Sequence, residues 1–113
     1  MVRRSCVVIP LALLAVGLPA AAHRLGAVGQ GQHLAEARCA SCHAIGPAGD
    51  SPDPRAPRFR DIAGSYEEHS LQKKLTEIDE TGHYDMPSLR VHSNEISALI
   101  AYFNRLHRRS PGT

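Results

Sequence analysis

The apolar positions of this chain fall into one continuous run followed by spaced stripes. Residues 7–18 are apolar without interruption. Near the other end, Ile96, Leu99, Ile100, Phe103 and Leu106 recur at helical spacing, which predicts a final helix with one inner face. Ser93 stands where such a helix would take its cap. Upstream, Leu71, Leu75 and Ile78 make a second stripe. Ser65 followed by Glu68 reads as a capping box that opens this helix, and Thr81-Gly82 closes it. A first helix is expected over 28–41, with Leu34 and the alanines on its inner side, until Gly46-Pro47 breaks it. Between these elements, residues 47–64 carry Pro47, Pro52, Pro54 and Pro57. They are expected to form one long loop, and loops of that length in small domains usually carry function. No segment alternates in the manner of a strand, so the expected fold class is all-α, without internal repeats or low-complexity tracts.

The continuous apolar run belongs to a different kind of segment. Arg3 and Arg4 precede it, and Ala20-Ala21-Ala22 follows it. A basic start, an apolar middle and small residues at the end describe a secretory signal peptide. Residues 1–22 are therefore expected to be removed, leaving one small domain over 23–113 that begins at His23. An uncleaved anchor is the competing reading. Residues 6–22 sit at the lower edge of what spans a bilayer, and Pro10, Gly17 and Pro19 make them a poor spanning helix. Export to the periplasm is the expectation, with no stable membrane span after cleavage. Cys6 lies at the start of the apolar run, where a lipoprotein acceptor would not be.

Charge says little about partners. The chain has 13 Lys and Arg against 11 Asp and Glu, and the leader would take two of the arginines with it. The remainder is balanced, which argues against nucleic acid as a partner. The aromatic content is small: no tryptophan, and only Phe59, Tyr66, Tyr84, Tyr102 and Phe103. A domain with so little bulk often needs a covalent or metal staple. Exported domains commonly use disulfides. Past the leader, however, only Cys39 and Cys42 remain.

Those two cysteines carry the strongest chemical signal. Cys39-Ala40-Ser41-Cys42-His43 has the C-x-x-C-H form of a c-type haem attachment site. Each thiol can add across one haem vinyl group to give a thioether. Two intervening residues on a helical turn set the sulfurs at the vinyl separation. The histidine that follows then lies under the ring, a standard way to hold haem iron. Half of a zinc site would need a second ligand pair, which the sequence does not supply. A thioredoxin-like pair belongs in a βαβ setting. A plain Cys39–Cys42 disulfide stays open on the sequence alone.

A second iron ligand can also be sought. Beyond the leader, Met86 is the only methionine, in the non-helical stretch Gly82-His83-Tyr84-Asp85-Met86-Pro87. A lone methionine is usually packing; its loop position favours a thioether ligand, which would raise the potential above that of a second imidazole. His83, His92 and His69 compete for the same role.

Taken together, the chain resembles the class I c-type cytochromes, in particular the short monohaem bacterial ones. The likeness runs over nearly all of the chain beyond the leader. It rests on Gly31 eight residues before Cys39, the haem motif near the new N-terminus, Pro57 in the following loop, Met86-Pro87, and Leu99-Ile100-Ala101-Tyr102-Phe103 in the last helix. The resemblance implies a small helical domain wrapped around one covalent haem c. It implies covalent attachment at Cys39 and Cys42, with His43 as proximal and Met86 as distal metal ligand. Pro57 would accept a hydrogen bond from the His43 ring through its carbonyl. Gly31 would let Tyr102 cross the first helix closely. Where the family often has an aromatic residue four positions after that glycine, this chain has Ala35. Arg58, Arg60 and Tyr84 are candidates to meet the haem propionates. The implied function is electron carriage by a monomeric protein, not an enzyme, that docks transiently on donor and acceptor proteins. Three alternatives remain: a ligand-binding or sensing cytochrome with an open distal site, a haem subunit of a larger redox complex, and a thiol–disulfide protein.

Overall fold

The computed structural model of the chain describes residues 20–86 and 88–109, with side chains from residue 26 onward. Most of the expected leader, and Pro87, lie outside the described residues. Four helices follow one another: α1 (Ala20–Arg38), α2 (Phe59–Ser65), α3 (Glu68–Thr81) and α4 (Ser93–Arg109). Among the described residues there is no strand, only an isolated antiparallel bridge between His83 and Met86. None of these helices is long and apolar enough to cross a membrane.

α4 is the centre of the fold; each of the other three helices packs on it, and none of them packs on another. Its stripe explains this. Ile96, Leu99, Phe103 and Leu106 are buried, and Ala98 and Tyr102 join them and widen the inner face. α1 meets this face through Gly31 and Ala35, the latter wholly inaccessible. A Cβ placed on Gly31 would stand 2.0 Å from the Ala98 carbonyl oxygen and 2.9 Å from the Tyr102 Cβ. Both obstacles are rigid, so only glycine permits this crossing. Ala35, small and fully buried, lies one turn further along the same helix.

Three expectations about element boundaries are corrected. α1 ends at Arg38 and does not continue to residue 41. Cys39–His43 instead forms a single tight turn, in which the His43 and Cys42 amides both donate to the Cys39 carbonyl. Second, the 47–64 segment is not loop throughout. Phe59, Ile62 and Ala63 have helical spacing and bury Phe59 and Ala63 against α4, so α2 forms despite the prolines before it. α2 takes up Ser65, whose expected capping box does not form; α3 is preceded by Glu67 in extended backbone, with no side-chain cap. Third, the last helix is not capped by Ser93. The His92 carbonyl accepts from the Glu95 and Ile96 amides, and the His92 amide donates to the Glu95 carboxylate, which reaches back to it. That is the glutamate half of a capping box, one residue earlier than expected.

α3 ends at Gly82, whose φ of 87° is a conformation that glycine alone adopts without strain. This residue turns the chain away from α3 and into the turn that carries His83, Tyr84, Asp85 and Met86.

Candidate functional site

A cavity of about 380 Å³ opens between α4, α3, the 39–59 segment and the 83–91 segment. Cys39, Cys42, His43 and Met86 all border it. Most of the remaining wall is apolar, formed by Phe59, Leu71, Leu75, Ile78, Leu99 and Phe103 among others. Five of those six are nearly inaccessible to solvent. An apolar hollow in so small a domain favours an apolar occupant over water.

His43 is fixed from several directions. Its amide closes the tight turn onto Cys39. Its Nδ1 lies 2.6 Å from the Pro57 carbonyl oxygen. A carbonyl can only accept, so Nδ1 carries the proton and the Nε2 lone pair is left for a metal. The ring also leans on Phe59, with centroids 5.3 Å apart, and Phe59 stacks on Phe103 of α4 at 4.6 Å. The segment between His43 and Pro57 is tied down along its length. Phe59 donates to Ala44, Asp53 to Cys42, and the Ala44 amide to the Ser51 hydroxyl. From α4, the Tyr102 hydroxyl donates to the Ile45 carbonyl at 2.9 Å. Burial raises the Tyr102 phenol above its usual range, so it stays a donor. Arg38, at the end of α1, pairs with Glu95 and donates to the Arg90 carbonyl; this anchors the chain just before Cys39.

Both cysteines are free thiols. Burial pushes the Cys39 thiol up to about 11, against smaller opposing help from Arg38 and a further rise from Cys42. It is therefore a neutral S–H facing the cavity at ordinary pH. Among the described residues, no three His, Cys, Asp or Glu side chains gather into a metal-ion cage, so the zinc reading of the cysteine pair finds no further ligands there.

Met86 also borders the cavity and is 42 % exposed. Its amide donates to the His83 carbonyl, and its carbonyl accepts from Leu89. His83, half-buried on the same turn, comes within 6.0 Å of the His43 ring, centroid to centroid, with the planes crossing at 76°. Burial, and then the nearby His43, lower the basicity of His83. Neither of the other competing histidines borders this cavity: His92 is exposed, pairs with Asp79 at 3.4 Å and lines a separate, more open hollow beside Met86, and His69 is exposed on α3.

The basic groups around the cavity differ from those expected. Arg58 is engaged by Asp61 and Asp50, and neither it nor Arg60 borders the cavity. Tyr84 does border it but is 94 % exposed. Arg38, Arg55 and Lys74 are the cations on the wall. Neither Lys74, exposed on α3, nor Arg55 carried a signal in the sequence that set it apart. The Arg55 guanidinium pairs with Asp53 and reaches Asp85 at 3.8 Å, which links the proximal loop to the distal turn.

These residues suit a haem. Two thiols and an imidazole nitrogen share one wall, apolar side chains cover a flat hydrocarbon body, and cations can meet carboxylates. A family model described as cytochrome c matches residues 28–107. No curated protein and no solved structure matches the chain.

Proposed function

This chain belongs to the cytochrome c family, which binds covalent haem c, and on that premise we propose that it is a single-haem electron carrier of the periplasm with His43 and Met86 as axial ligands. The haem supplies a metal centre that changes by one electron between ferric and ferrous forms. The chain's own residues do the rest. Cys39 and Cys42 bind the group covalently. The Pro57 carbonyl holds the His43 proton on Nδ1, and thereby the orientation of Nε2. Phe59, Leu75, Leu99 and Phe103 keep water from the group's faces. The Met86 thioether would fill the second axial position, leaving no room for a substrate. This reading makes the chain a carrier, not an enzyme, that meets its donor and acceptor as a monomer in brief, small-area contacts. The leader over 1–22 would direct it to the periplasm and be removed there.

The observation that supports the reading is that His43, Met86 and both cysteines border one and the same apolar cavity. A second reading is a distal site that opens to small ligands, which the tie of the Met86 turn to the rest of the chain through an exposed ion pair, Arg55–Asp85 at 3.8 Å, would allow. The exported, haem-loaded protein distinguishes them. Under the carrier reading its mass begins at His23 plus one haem, and its ferric spectrum is low-spin with the weak far-red sulfur-to-iron band. A high-spin ferric spectrum without that band would favour the ligand-binding reading, and a mass retaining 1–22 would mean an anchor.

A further inference from the structure

The turn after Gly82 presents two side chains able to bind iron. His83 and Met86 are bridge partners, joined by the Met86 amide and the His83 carbonyl. Directly opposed bridge residues leave the backbone on the same side, and both side chains border the cavity. Of the two, the imidazole lies on the less exposed residue. The His83 ring is 6.0 Å from the His43 ring. With a metal–nitrogen bond of about 2 Å on each side, two imidazoles sharing one metal have ring centres about 6 Å apart. His83 thus already lies at the distance from His43 that a shared metal would impose.

We propose that His83 is a reserve axial ligand, which takes the iron whenever Met86 is absent, displaced or oxidised. This rests on the haem-carrier reading above and adds a second state to it, with two imidazoles and a lower potential. Exchange needs a shift within one four-residue turn, which Gly82 precedes and which the exposed Arg55–Asp85 pair ties to the rest of the chain at 3.8 Å.

Three variants of the haem-loaded protein test it: Met86→Ala, His83→Ala and the double variant. Helical circular dichroism serves as the check on folding, and the positions lie on a partly exposed turn. The proposal expects His83→Ala to keep the far-red sulfur band. It expects Met86→Ala to lose that band yet stay low-spin, and to take up carbon monoxide far more slowly than the double variant, which is high-spin and open. A Met86→Ala protein that is high-spin and binds carbon monoxide as fast as the double variant overturns the reserve role and leaves the native His43/Met86 reading untouched. If the native protein lacks the sulfur band and His83→Ala alone opens the iron, His83 is the resting ligand. That outcome overturns both the reserve role and the Met86 assignment.

Discussion

His43 and Met86 border one cavity, but they are held by different means. The proximal histidine has its amide, its ring nitrogen and its ring face all engaged, and the segment around it is fastened to α4 by Tyr102 and to itself by backbone bonds. The distal turn is fastened mainly to itself, with an exposed ion pair to Arg55 at 3.8 Å. The proximal wall is therefore determined by the chain, because its bonds are already complete. The turn with His83 and Met86 brings two possible ligands to the cavity. Under the proposed carrier reading, His43 would stay constant while the identity of the second ligand would set the potential.

Breaking the proximal wall should have the largest effects. Replacing both cysteines, Cys39→Ser with Cys42→Ser, should abolish covalent attachment, so that acid-acetone extraction strips all haem from the protein. Retention of haem by that variant would remove the thioethers from the account. Next comes the helix crossing. Gly31→Ala forces a Cβ against the Ala98 carbonyl and the Tyr102 Cβ, and overpacking of this kind costs about 1–3 kcal/mol or more. The loss should appear in a denaturant titration, whereas Gly29→Ala, where a Cβ meets nothing within 4 Å, should leave the midpoint unchanged or raise it. Equal effects at the two glycines would contradict the crossing.

The smallest effect concerns Tyr102 and pH. Its phenol is neutral in the fold and its pKa is raised above 10.0 by burial. Unfolded chains then release this proton at lower pH than folded ones. The contribution is fully present below pH 10 and is lost as pH rises through the folded value. Tyr102→Phe should lose the Ile45 hydrogen bond at neutral pH, at a cost of about 1 kcal/mol, and should flatten the decline in stability above pH 10. An unchanged alkaline decline would place its source elsewhere.

The two walls also differed in how far the sequence foretold them. The haem motif was legible from its own spacing, whereas Pro57 and Gly31 were named through the resemblance to class I cytochromes, and both act through backbone geometry. The apolar stripe of α4 was legible from its period alone. Short-range pattern missed α2, since its seven residues follow four prolines and depend on burying Phe59 and Ala63 against a helix more than thirty residues later. The caps failed for a related reason: Ser65 and Ser93 have the right side chains, but neighbouring packing moved each boundary by a residue or more. On the distal side the sequence named Met86 and its rivals. It could not rank His83 above His92 and His69, because only the fold brings His83 to the cavity and directs His92 to Asp79. The cations on the wall were the least visible, as Arg55 is placed there by a loop with no periodic signature.

The carrier reading requires that the chain itself fill both axial positions in the resting protein. Adding carbon monoxide to the reduced, exported protein tests this most directly. The account predicts that the ferrous absorption spectrum does not change on mixing, because no position on the iron is open. A prompt shift to a carbon monoxide complex would contradict it and make this chain a ligand-binding cytochrome.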